Sequence, residues 1–238
     1  MPSIQYSFQR REIKYLLTPA QYALLLPALE RKAEPDGQYA VRNIYYDTPS
    51  YDLIRTSVNK PVYKEKFRLR SYGAAGEGLI FAEIKKKYRG VVYKRRAATP
   101  PSALLAFLDW DFCLPGQEQI QREIRMFFQT YRPTPKVFIG YEREAFCSGD
   151  DPALRITFDH ELRWRTDELN LLSGDNGRPI LDEERIVMEV KTPFAVPLWL
   201  AALLNERNIY PVSFSKYGVC YLRHIAPNFL LEGRLRYA

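Results

Sequence analysis

Four segments of the chain carry charge at every second residue. Lys64, Lys66, Arg68 and Arg70 alternate with Glu65, Phe67, Leu69 and Ser71; Glu83, Lys85 and Lys87 alternate with Ile80, Ala82 and Ile84 on the other parity. Arg155, Thr157 and Asp159 stand against Leu154, Ile156 and Phe158, and Glu189 and Lys191 against Ile186, Met188 and Val190. An extended chain sends alternate side chains to opposite faces, so each segment has one charged and one apolar face. The charged faces are mostly cationic, with Lys66, Arg68, Arg70, Lys85, Lys94, Arg143 and Arg155 against Glu12, Glu83, Asp159 and Glu189. A planar guanidinium grips two phosphate oxygens at once, and a lysine adds a point charge. A row of such cations suits an anion that carries many charges along a line, as a triphosphate or polyphosphate does.

Elements must position these groups. Strands are expected near 8–17, 39–47, 63–72, 79–88, 91–98, 136–146, 154–162 and 185–192, and Gly73, Gly76 and Gly78 mark the loop of a hairpin. Arg89-Gly90 makes the next turn. Helical spacing falls over 101–112, 117–131 (Ile120, Ile124, Phe127, Phe128) and 195–208, with a short terminal helix over 213–224. A first helix starts at the Thr18-Pro19 cap and runs to about Lys32. The default for an antiparallel sheet is a solvated polar face. Here the helices supply enough apolar surface to cover a sheet from outside, which leaves the inside for the charges. An enclosed cationic interior is costly unless an anion fills it. The expectation is α+β: an eight-stranded antiparallel barrel, with helices outside, formed by residues 1–238 as a single domain.

The 238 residues carry 35 Lys and Arg against 28 Asp and Glu, a net charge of +7 that favours anionic partners. Three distant cysteines fit no zinc or disulfide spacing and point to a reducing, cytoplasmic setting. The start of the chain lacks the apolar run of a signal peptide, and the longest apolar stretch, 193–204, is too short to span a bilayer. No Gly-x4-Gly-Lys-Ser/Thr, Gly-x-Ser-x-Gly or Cys/His metal spacing occurs, and His160 and His224 are isolated. Lys86, Lys87, Arg89, Arg95 and Arg96 read as a solvated hairpin-tip run able to steer long polyanions. Cys147 reads as core.

The motifs Arg11-Glu-Ile-Lys-Tyr15, Ile44-Tyr-Tyr-Asp-Thr48, Lys66-Phe-Arg-Leu-Arg-Ser-Tyr-Gly73, Glu83-Ile-Lys85, Tyr141-Glu-Arg143, Leu154-Arg-Ile-Thr157, Glu189-Val-Lys191 and Ser215-Lys-Tyr-Gly218 follow one another along nearly the whole chain. In that order they resemble the triphosphate tunnel metalloenzymes, and within them the catalytic domain of the vacuolar transporter chaperone (VTC) complex, a polyphosphate polymerase. The resemblance implies a tunnel in which Lys14, Arg68, Arg70, Lys85, Lys94, Arg143, Arg155 and Lys216 bind phosphates. Lys66, Tyr141, Ser215 and Lys191 would add substrate contacts. Glu189, helped by Glu12, would hold Mn²⁺ or Mg²⁺. ATP would donate its γ-phosphate to a growing polyphosphate chain, and Lys216, read at the mouth, would meet the terminal phosphate. Arg55 stands near a further family arginine without clean register, and a lysine expected just before the Ser-Lys-Tyr motif is absent. A membrane-protein partner is compatible with the resemblance.

Two other functions fit the same residues. A triphosphatase or polyphosphatase on the same scaffold would use water as acceptor, although Arg10-x-Glu12-x-Lys14 departs from the Glu-x-Glu-x-Lys start of that branch. A non-catalytic polyphosphate- or nucleic-acid-binding module would want exposed aromatics between the cations, as Tyr72, Tyr88 and Tyr93 could supply. A closed tunnel excludes duplex nucleic acid. Glu12 and Glu189 have a plainer reading as counterions for neighbouring arginines, and Tyr141 as a core aromatic. Asp159 is expected to orient an arginine.

Overall fold

The computed structural model describes residues 11–89, 91–149, 151, 153–193 and 195–228. Residues 8–10 of the expected first strand, and Gly90 of the second hairpin turn, lie outside them. The period-two segments all form strands: β1 (Arg11–Leu17), β2 (Glu34–Asp47), β3 (Tyr63–Tyr72), β4 (Ile80–Tyr88), β5 (Val91–Thr99), β6 (Thr134–Cys147), β7 (Arg155–Arg165) and β9 (Ile186–Thr192). A two-residue strand β8 (Arg178–Pro179) pairs with β7. The ladders are antiparallel, in the order β1-β9-β7-β6-β2-β3-β4-β5.

The expected closed barrel is not what the ladders make. Among the described residues none joins β1 to β5, so the sheet is open. The seam is bridged otherwise. Val212 donates its N–H to the Lys14 carbonyl at 2.7 Å, Pro211 bridges to Tyr15, and Lys66 Nζ on β3 donates to Ser215 Oγ at 3.2 Å. Glu12 on β1 also reaches Lys85 on β4 at 3.5 Å.

The apolar parities dictate the helix positions. Helix α1 (Pro19–Leu29) begins at a Thr18–Gln21 capping box. Together with α5 (Leu198–Glu206) it covers Tyr15, Leu17, Ile156, Phe158, Met188 and Val190. Helices α3 (Leu104–Leu108) and α4 (Glu118–Tyr131) place Phe107, Ile120, Ile124 and Phe127 on Ile44, Phe67, Leu69, Ala82 and Ile84. The outer face is therefore the greasy one. Helix α2 (Asp52–Val58) was not foreseen: it is seven residues long and starts from Tyr51 in the left-handed region (φ 60°). Asp47 Oδ atoms accept the N–H groups of Leu53 and Ile54, anchoring it.

The concave face is not charged throughout. At Glu161 (φ 49°), beside a register shift in the β6–β7 ladder, β7 carries an extra residue. Beyond it Leu162 and Trp164 take the side that Asp159 occupies before it. There they meet Val41, Val137, Ile139 and Val187, and helix α6 (Lys216–Cys220) with the π turn Tyr221–Ile225 packs onto them through Tyr217, Cys220 and Ile225. One end of the concavity is thus filled with hydrocarbon and the remainder lined with charge.

Candidate phosphate and metal site

On the concave face nine cations, Lys14, Lys66, Arg68, Arg70, Lys85, Lys94, Arg143, Lys191 and Lys216, cluster around four carboxylates, Glu12, Glu83, Asp159 and Glu189, and Lys64 and Lys87 continue the row. The carboxylates organise the cations into three groups. Glu83, 2% exposed, lies 2.6 Å from Arg68, 2.6 Å from Lys94 and 3.8 Å from Arg70. Burial alone would raise its pKa, but these three cations hold it well below the usual range. Asp159, fully buried, takes both forks of Arg143 at 2.6 and 2.9 Å and the Lys216 ammonium at 2.5 Å. Glu189 lies 3.6 Å from Lys191 and 3.7 Å from Arg143. Against its burial, Lys191, Lys14, a hydrogen bond with Glu12 and Arg143 keep its carboxyl ionised.

The arginines are held by aromatic and amide groups as well. Arg68 donates to Tyr45 Oη at 2.9 Å; Arg70 donates to Asn43 Oδ1 at 2.7 Å and Tyr141 Oη at 3.2 Å. Tyr45 stacks on Tyr217 at 4.7 Å, and the Lys216 ammonium lies 4.5 Å over the Tyr141 ring. Each guanidinium is fixed from two sides before any ligand arrives, the condition for electrostatic preorganisation.

Lys66 is different. Among the described residues it has no carboxylate partner, only the Ser215 hydroxyl. Burial, then Lys64, Lys85, Lys14 and Arg68, push its pKa down to about 7. A half-buried lysine surrounded by cations is a vacancy for an anion. Lys94 is drawn down to about 8, chiefly by burial, even with Glu83 beside it.

Two carboxyls could hold a metal. Glu12 and Glu189 are diagonal neighbours on strands β1 and β9, Glu12 opposite Lys191 and Glu189 opposite Lys14. A divalent ion between them would take their oxygens and complete its shell with phosphate oxygens and water, the normal arrangement for Mg²⁺. The Thr157 hydroxyl, opposite Glu189 on β7, is buried without a hydrogen-bond partner among the described residues. These donors fit a hard divalent ion that also takes ligand oxygens. No cluster of three or more His, Cys, Asp or Glu occurs among the described residues, so protein ligands alone would not complete the shell.

Of the residues expected from sequence, Lys14, Lys66, Arg68, Arg70, Lys85, Lys94, Tyr141, Arg143, Lys191, Glu12, Glu189 and Ser215 come together. Lys216 does so too, but it is buried against Asp159 rather than standing at a mouth. Arg155 sits at the rim, its side chain 47% exposed and paired with Asp36. Arg55 is on α2, exposed, 3.8 Å from Asp52, and takes no part. The hairpin run is not one solvated set: Arg95 pairs with Glu123 of α4 at 2.6 Å on the outer face, and Arg96 lies 4.8 Å over the Phe81 ring. Cys147 is half-buried, not core. Glu83, Tyr45 and Asn43 were not foreseen as organisers of the arginines. Their signal was available, since Asn43 and Tyr45 share a parity in β2 and pair with Arg70 and Arg68.

No curated protein matches the sequence. Solved structures do. A candidate adenylate cyclase from Bacillus halodurans superposes with a TM-score of 0.55 at 14% identity, over 89% of this chain and 96% of that one. A candidate adenylyl cyclase from Hippeastrum with a dominant triphosphatase activity gives 0.51 at 16% identity, over 89% and 95%. At such identities the likeness is one of fold. The family model of the VTC domain matches residues 9–224, almost the length of the chain. This chain belongs to the VTC domain family.

Proposed function

We propose that the chain is an ATP–polyphosphate phosphotransferase: the concave face is a tunnel, closed in function by the 211–216 bridge and the Glu12–Lys85 contact, in which the γ-phosphate of ATP passes to a growing inorganic polyphosphate. The observation that carries the reading is Lys66, half-buried among four cations and, among the described residues, without a carboxylate partner. That vacancy, continuous with Arg68 and Arg70 on one strand face, asks for a linear anion. Membership of the VTC family favours synthesis as the reaction.

In this reading Arg68 and Arg70, about 7 Å apart along β3, grip phosphates a few units apart on one chain. Arg143 and Lys216, locked by Asp159, offset charge on the transferring group. Lys14, Lys85 and Lys94 add charge from β1, β4 and β5, Lys191 and the Ser215 and Tyr141 hydroxyls orient phosphate oxygens, and Arg155 meets the chain at the rim. Glu189 and Glu12 would hold the Mg²⁺ or Mn²⁺, which polarises the phosphoryl oxygens. Three free thiols support a reducing, cytoplasmic setting for that reaction, with residues 1–238 read as one domain. Among the described residues no helix is long and apolar enough to cross a membrane; a membrane-protein partner could still receive the product.

A second reading has its own observation: the Hippeastrum relative has a dominant triphosphatase activity on the same fold. Incubation of purified protein with ATP and Mg²⁺ or Mn²⁺, beside tripolyphosphate and an Arg70→Ala control, separates the two on a gel. A ladder with ADP supports the polymerase. Orthophosphate without a ladder moves the assignment to the hydrolase, and tight binding without turnover to a binding module.

A further inference from the structure

On β3 and β4 like charge faces like charge. Lys66 is directly opposite Lys85, and one step further Lys64 is directly opposite Lys87. Such pairs are destabilising across an antiparallel ladder. Deeper in the concavity each carboxylate is shared by two or three cations, but this end is not neutralised. Among the described residues Lys64 and Lys87 form no ion pair. Lys64 donates instead to the Ser57 carbonyl at the end of α2, 3.0 Å away. Glu12, across the seam on β1, is taken by Lys14 and Lys85. Glu65 lies between Lys64 and Lys66 in sequence but on the opposite face, paired in register with Lys86 and in contact with Tyr63.

The row has direction and length. Arg70, Arg68, Lys66 and Lys64 follow one another at about 7 Å per step, so it runs about 20 Å. Three phosphates joined by two bridging oxygens are far shorter than that. If Arg70 and Arg68 hold the reacting triphosphate, nothing in a triphosphate reaches Lys64 and Lys87. Further phosphates of a longer chain would.

We propose that Lys64 and Lys87 form an extension subsite for the distal phosphates of a linear polyphosphate, so that chains longer than a triphosphate are held preferentially. The inference rests on the reading of the concave face as a phosphate-chain site. It adds two residues, outside the reacting centre, that decide length. Both are partly exposed, so the cost of leaving them unpaired without ligand is modest, and the chain supplies the missing charge.

The test is binding of tripolyphosphate, ATP and a polyphosphate of several tens of units to the wild type and to a Lys64→Gln/Lys87→Gln double variant, by calorimetry at two salt concentrations. Melting curves would confirm that the variant is folded. The wild type should bind the long chain more tightly than tripolyphosphate. The variant should lose about tenfold on the long chain, with a shallower salt dependence, and hold tripolyphosphate and ATP within about threefold. Multiple binding registers on a long chain favour it in both proteins, so the difference between them isolates the subsite. Equal losses on all three ligands, or an unchanged length preference, would overturn the subsite and leave the site reading standing. Failure of the wild type to bind tripolyphosphate or ATP would overturn both.

Discussion

Glu83→Gln removes one buried negative charge and leaves Arg68, Arg70 and Lys94 facing one another. All three now lie within 3.8 Å of that carboxylate, which is itself 2% exposed. Breaking a buried pair by deleting one partner costs about 3–5 kcal/mol, because the remaining charge stays desolvated. For a chain of this size each kcal/mol moves the melting temperature by about 2–4 °C, so the variant should melt about 10 °C lower at pH 7. Tripolyphosphate should recover much of that loss, since it supplies the anion that the cations have lost. Its stabilisation of the variant should exceed that of the wild type. The pH dependence has a definite sign. The folded-state pKa of Glu83 lies well below its unfolded value. Its contribution is therefore present above the unfolded value of about 4.3 and is lost on acidification through the folded one. The gap between wild type and variant should hold from pH 6 to 8 and close only below about 4. Scanning fluorimetry with and without ligand measures all three effects. A shift below about 2 °C, or a wild type that gains as much from tripolyphosphate as the variant, would show that Glu83 is not the internal counterion of the two arginines.

Arg70→Ala should lower turnover by at least about 100-fold, the worth of about 2.7 kcal/mol of transition-state stabilisation; steady-state assay with ATP decides, and a change within threefold would refute the inward assignment of β3. Lys66 should gain a proton when an anion binds, because its pKa of about 7 without ligand must rise beside phosphate. Calorimetry at pH 7.5 in buffers of different ionisation heat should show an uptake that Lys66→Met lacks. Chelation of divalent ions should abolish turnover, and Glu189→Gln should do the same while leaving metal-free tripolyphosphate binding at least as tight. Tyr217→Phe removes the hydroxyl that donates to Asp47 at 3.0 Å and should cost about 1–2 kcal/mol by urea denaturation.

Much of the scaffold was legible because parity is local. Phe67, Leu69 and Ile84 had to lie on one face and Lys66, Arg68 and Lys85 on the other, whatever the partners. The Thr18-Pro19 cap and the Ile120–Ile124–Phe127 spacing fixed α1 and α4 for the same reason. Helix α2 was hidden because its start depends on Asp47, a residue of the preceding strand, and on a left-handed Tyr51 that no propensity favours.

The sequence by itself determined which side chains share a face, that the cations outnumber the carboxylates there, and the order of motifs that marks the family. Tertiary structure decided which face is enclosed and which carboxylate serves which cation. Asp159 meets Lys216 across 57 positions of sequence, and Lys66 meets Ser215 across 149. It also decided that no ladder among the described residues joins β1 to β5, that α6 and a bulge at Glu161 fill one end with hydrocarbon, and that Lys216 is buried. The reason is physical: parity follows from the geometry of a single strand, whereas desolvation and ion pairing depend on distances between segments that only the folded chain brings together.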